Sequence, residues 1–152
     1  MLIFDWTGWT KWAPLVDLDL ATVPNTPGAY VIATDRPISR AVGVDQEGFL
    51  TVGESGKLSD RLWGFRECVT KPGAKWHSAG WRFAYFKFQR HFPVASLRVR
   101  WAALDTKAAA YSAEGTLLLA YLREHGELPP LNYKFNWQAL EGSPCSIIDG
   151  EP

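Results

Sequence analysis

Four stretches of the chain place apolar residues at the two-residue spacing of a strand. Gly28-Ala29-Tyr30-Val31-Ile32-Ala33-Thr34 is rich in β-branched and aromatic residues and follows the turn cluster Val23-Pro24-Asn25-Thr26-Pro27. Phe49-Leu50-Thr51-Val52-Gly53 reads as a second strand, pairing with the first as a hairpin whose long, polar loop covers residues 36–48. Trp81 to Phe88 alternates as well, with Trp81, Phe83 and Tyr85 on one face and Arg82, Ala84 and Phe86 on the other. Leu97 to Ala103 alternates most regularly: Leu97, Val99 and Trp101 turn inward, and Arg98 and Arg100 are expected to face solvent together as a phosphate-sized cationic stripe.

Two stretches change to a helical period. Leu58, Leu62, Phe65 and Val69 recur at i, i+4, i+7 and i+11, which predicts a helix over residues 56–69. At 100° per residue Arg61 lies about 60° from the centre of that stripe, at the boundary where a cation can face a cleft. A second helix is predicted from about Lys107 to His125, stopped by Gly126. Its apolar stripe holds Ala110, Leu117, Leu118, Tyr121 and Leu122, and Glu114 falls in the middle of it. A carboxylate there is costly unless paired, hydrogen-bonded or metal-bound, which makes Glu114 a candidate functional group. Leu128-Pro129-Pro130-Leu131-Asn132 then forms a stiff exit presenting Asn132.

Composition narrows the class. A chain of 152 residues is expected to form one domain over 1–152: a lead-in of residues 1–23, a motif-bearing core over about 24–137 and a tail over 138–152. With 47% apolar and 21% charged residues, the composition is that of a folded globular protein and excludes disorder. No apolar run is long enough to span a membrane. Asp5 and the lack of a basic start argue against a signal peptide. Cys68 and Cys145 alone make neither a disulfide framework nor a zinc site. A soluble, cytoplasmic protein is expected.

Charge changes this picture. The net charge is zero, yet residues 56–100 hold ten basic and two acidic residues, while each flanking segment holds three basic and seven acidic ones. Clustered cations of this kind supply affinity for phosphates. The aromatic content of 14% fits either a rich core or a binding surface, and Trp6, Trp9 and Trp12 leave a partner-binding role open.

Several segments together resemble the GIY-YIG nuclease family. Pro27-Gly28-Ala29-Tyr30-Val31-Ile32 is similar to its first motif and Leu50-Thr51-Val52-Gly53-Glu54-Ser55 to its second. Leu58-Ser59-Asp60-Arg61-Leu62 resembles the arginine helix, Ala113-Glu114-Gly115-Thr116-Leu117-Leu118 the glutamate helix, and Leu128-Pro129-Pro130-Leu131-Asn132 the closing motif. The resemblance implies an α/β fold of the α+β kind: a small sheet, three-stranded or slightly larger, antiparallel or mixed, flanked by helices. It implies hydrolysis of DNA phosphodiesters, duplex or branched, with Mg²⁺ or Mn²⁺. Tyr30 would orient or deprotonate the attacking water, Arg61 would bind the scissile phosphate, Glu114 would ligate the metal and Asn132 would hold the closing segment over the site. For such a substrate the cationic segment over 56–100 supplies the expected DNA contacts, Lys57, Arg61, Arg82, Arg98 and Arg100. A monomer and a homodimer are both compatible with this reading.

Two positions depart from the family pattern. Thr51 stands where the second motif has tyrosine, and Phe65 stands where a histidine or tyrosine often follows the helix arginine. Two proton-handling groups are therefore missing. His77, in Lys75-Trp76-His77-Ser78-Ala79-Gly80-Trp81, is the group available in their place, because imidazole exchanges protons near neutral pH. The departures also support an alternative: a catalytically degenerate module on the same fold that binds nucleic acid or a partner.

Overall fold

The computed structural model describes residues 4–135. In chain order the elements are β1 (Ala13–Pro14), β2 (Gly28–Ala33), β3 (Ile38–Ser39), β4 (Val44–Asp45), β5 (Phe49–Ser55), α1 (Leu58–Thr70), α2 (Ser78–Tyr85), β6 (Arg98–Ala103) and α3 (Lys107–His125). The fold is α+β, with a four-stranded antiparallel sheet of order β1-β6-β2-β5 and the small hairpin β3-β4. The expected tail over 138–152, the end of the motif-bearing core and Cys145 lie outside the described residues.

β2 is the strand that both faces of the sheet cover, and all of its residues are buried. Tyr30 and Ile32 point to one face, where Leu58, Leu62 and Phe65 of α1 and Phe83 of α2 complete a core. Val31 and Ala33 point to the other, against Leu117, Leu118 and Tyr121 of α3. α3 runs over the predicted span. Thr106 caps it by accepting from the Ala109 N–H at 3.0 Å, and Gly126, at φ 71°, ends it in the left-handed conformation. No helix among the described residues is long and apolar enough to cross a membrane.

The strand expected over Trp81 to Phe88 is a helix. The large rings alternate because α2 carries them on both sides: Phe83 is buried with Ala79 and Gly80, whereas Trp81 and Tyr85 stack outside as an i, i+4 pair. Gly80 permits this, since a Cβ there would meet Cys68 Cβ at 2.9 Å. The polar loop over 36–48 also folds, into β3-β4. The Asp45 carboxylate ties it down by accepting from the backbone N–H groups of Glu47, Gly48 and Phe49 and from the Tyr121 hydroxyl.

Arg98 and Arg100 do share a face of β6, but that face is covered. The lead-in folds Phe4, Trp6, Trp9 and Trp12 onto the α3 side of the sheet, around Phe49. The Arg100 guanidinium lies over the Trp6 ring at 3.8 Å and that of Arg98 over Trp12 at 4.5 Å. Arg98 also donates to the Glu47 carbonyl at 2.8 Å. Both arginines are half-buried, so the expected solvent-facing stripe is absent, and Trp6 and Trp12 serve as its cover.

Candidate active site

A cleft of about 680 Å³ opens beside β5, where α1, the start of α2, α3 and the segment after Pro130 converge. Tyr30, Arg61, His77, Glu114 and Asn132 all line it, with Arg82 and Thr51. The five residues expected to form one site from separated motifs are therefore neighbours. Lys57 is exposed at the start of α1 and does not line the cleft; Arg98 and Arg100 lie on the other face of the sheet.

Tyr30 reaches the cleft because its partner on β5 is a glycine. Tyr30 and Gly53 pair directly, and a Cβ on Gly53 would fall 2.3 Å from the Tyr30 hydroxyl oxygen. The ring crosses the space a side chain would fill. Thr51, buried on the same sheet face, is too short to supply a second phenol. Phe65 is fully buried, and its ring meets His77 edge-on, with centroids 5.1 Å apart.

His77 fixes the Tyr30 hydroxyl. It caps α2: Nδ1 accepts from the N–H groups of Ala79 and Gly80 at 3.2 and 3.3 Å. A backbone N–H only donates, so this network assigns the lone pair to Nδ1 and the proton to Nε2. Nε2–H then donates to the Tyr30 hydroxyl oxygen at 2.7 Å. Burial, reinforced by the charges of Arg61 and Arg82, lowers the His77 pKa to about 3. The imidazole is a neutral donor at physiological pH. The proton-accepting role expected of it is corrected: its only basic nitrogen is occupied by the helix start.

Burial pushes the Tyr30 pKa up to about 12, while the charge and hydrogen bond of Arg61 pull it back. His77 donates to its oxygen, and the neighbouring Arg61 cation favours its charged form. Glu114 is half-buried on the α3 wall, and its charge also raises the Tyr30 pKa. Asn132 works through the backbone: Oδ1 accepts from the Val52 N–H at 2.9 Å and Nδ2 donates to the Val52 carbonyl at 2.8 Å. The Leu131 N–H adds a bond to the Leu50 carbonyl at 2.9 Å. Arg82 ties α2 to the same segment, donating to the Leu131 carbonyl and lying over the Tyr133 ring at 4.0 Å.

No group of three or more His, Cys, Asp and Glu residues among the described residues forms a metal-binding cluster. Glu114 alone fits a hard cation such as Mg²⁺, which keeps several waters and takes one or two carboxylates plus phosphate oxygens. It does not fit zinc, which takes four protein ligands or three and a water. The other cleft carboxylate, Glu54, is ion-paired with Lys107.

Two site features escape the sequence pattern. Arg82 sits in a segment that alternates like a strand, so its place beside Arg61 is not visible there. His77 is not among the preferred N-cap residues, so the start of α2 carries no signal. Comparison with family models, curated proteins and solved structures finds no match to this chain.

Proposed function

We propose that this chain is a divalent-metal-dependent DNA endonuclease, a divergent member of the GIY-YIG family. The observation that carries the reading is the convergence of Tyr30, Arg61 and Glu114, taken from three separated motifs, on one cleft that Asn132 also lines. Arg61 binds the scissile phosphate and neutralises charge as it develops on the non-bridging oxygens. Tyr30, held by the His77 donor, orients the attacking water toward phosphorus. Glu114 is the residue that would hold Mg²⁺ or Mn²⁺, and the bound cation would supply Lewis acidity at the phosphate and the leaving oxygen. His77 is a positioning residue: it acts on Tyr30, not on the substrate.

A non-catalytic nucleic-acid-binding module is the second reading, and Tyr30 supports it. A phenol is protonated at neutral pH, burial makes that of Tyr30 harder still to ionise, and Thr51 offers no replacement base. Incubation with linear, nicked, branched and single-stranded DNA in Mg²⁺, Mn²⁺ or EDTA separates the readings. Cation-dependent cleavage that Glu114→Gln abolishes, without loss of folding, supports the nuclease. DNA binding without cleavage of any substrate supports the module.

A further inference from the structure

The outer face of α2 is unusual for a surface helix, whose open side is ordinarily polar. At 100° per residue, Trp81, Tyr85, Ser78 and Arg82 fall within an arc of about 100°. Ser78 and Arg82 line the cleft. Trp81 and Tyr85 line a second groove, of about 360 Å³, with Lys71, Pro72 and Gly73. The Trp81 and Tyr85 rings are stacked, with centroids 4.7 Å apart and planes 23° apart. Tyr85 is 63% exposed, and Phe86, beside it, is 55% exposed. At the cleft end, Tyr133 is 65% exposed over the Arg82 guanidinium.

Along the chain, the charge to either side of these rings has one sign. No Asp or Glu occurs between Glu67 and Asp105, and Lys71, Lys75, Lys87 and Arg90 are all exposed within that interval. Lys71 is engaged with Glu67, which leaves the other three to set the local field. Flat aromatic faces bracketed by cations match a polyanion that presents flat apolar faces. Unpaired nucleotides do so, with bases stacking on rings and phosphates meeting cations. A duplex keeps its base faces inside the stack, and an apolar protein surface has no use for the cations.

We propose that α2 continues the cleft as a stacking platform for unpaired nucleotides, so that a single-stranded DNA segment is the bound substrate. The platform deepens the nuclease reading and rests on it for the cleavage step alone. The strand runs from the phosphate site at Arg61 past Tyr133 and Arg82 onto Tyr85 and Trp81.

The test compares three fluorescent probes at one salt concentration: an oligothymidylate of about 20 nucleotides, an abasic strand of equal length and a duplex of that length. The oligothymidylate is expected to bind at least about 5-fold more tightly than the abasic strand, which has the same phosphates but no bases. Tyr85→Ala, at an exposed position, removes that advantage and leaves the melting temperature unchanged, while Tyr85→Phe retains the advantage. Equal binding of oligothymidylate and abasic strand overturns the platform, as does an unaffected Tyr85→Ala. Loss of self-association in Tyr85→Ala, with no change in strand binding, assigns the rings to a contact between copies and overturns it too. Cleavage assays with Glu114→Gln separate the two proposals. Glu114-dependent cutting without base-dependent binding leaves the nuclease and removes the platform. Base-dependent binding without cutting does the reverse, and no binding of any probe, together with no cutting of linear, nicked or branched DNA, removes both.

Discussion

Arg61 and Arg100 lie on opposite faces of the sheet, each half-buried and each with an Nε that meets no hydrogen-bond partner among the described residues. Arg100 is covered by the Trp6 ring at 3.8 Å, with the Trp12 ring 5.4 Å away. Arg61 stands at the wall of a cleft beside the Tyr30 hydroxyl. The same residue type, at a similar depth, is thus spent on packing in one place and presented to a cleft in the other. A guanidinium between rings gains cation–π attraction only while no phosphate displaces it. What decides the outcome is the segment that folds over each face: an aromatic lead-in on the α3 side, and a backbone clasp that leaves the cleft open on the other.

The comparison breaks most sharply at Arg61. Arg61→Ala is expected to lower cleavage by about 10²- to 10³-fold, as removal of one transition-state donor does. Melting by circular dichroism should remain near wild type. Cleavage within 3-fold of wild type would detach Arg61 from the chemistry.

His77 supplies the next largest effect, in stability. Its folded pKa of about 3 lies below the ordinary 6.5, so the neutral ring is the folded form. Its contribution is complete above about pH 6.5 and is lost as pH falls from there toward 3. Between pH 7 and pH 5 the loss comes to about 2 kcal/mol at 1.36 kcal/mol per pKa unit. His77→Asn keeps a good N-cap while removing the donor to Tyr30. Denaturant midpoints for this variant should be flatter over that pH range, with cleavage reduced about tenfold. An unchanged pH slope would mean that His77 titrates normally.

Arg98→Ala/Arg100→Ala sharpens the other half. The double variant is expected to lose about 1–3 kcal/mol of stability by denaturant unfolding. Its DNA affinity should keep the wild-type salt dependence. A slope of log affinity against log salt flattened by about 1.8 would show that both cations reach duplex phosphates.

Most of the frame was legible because it follows from period. α1 and α3 announce themselves by apolar stripes, and β2, β5 and β6 by alternation and turn residues. Glu114 stood out as a charge on an apolar stripe. Its place on the cleft wall explains how it can sit there without being sealed in the core. What was hidden depends on tertiary partners. α2 alternates because it buries Phe83 against α1 while showing Trp81 and Tyr85 outside, and eight residues are too few for the helical period to prevail. Arg98 and Arg100 were correctly placed on one face, but alternation cannot say that Trp6 and Trp12, nearly a hundred residues earlier in the chain, return to cover it. The lowered basicity of His77 could not be read from its loop, because it depends first on burial and then on the charges of Arg61 and Arg82, which the fold brings to it.

β5 is the last strand of its sheet, so its outer row of backbone groups has no strand to pair with. An open row of that kind templates the addition of foreign strands and is a route to aggregation. Asn132 imitates a neighbouring strand with a single amide: it takes both the N–H and the carbonyl of Val52, while the Leu131 N–H takes the Leu50 carbonyl. The segment that walls the cleft therefore also finishes the sheet. Asn132→Ala would reopen that edge to a second chain, coupling the shape of the cleft wall to colloidal stability through one side chain.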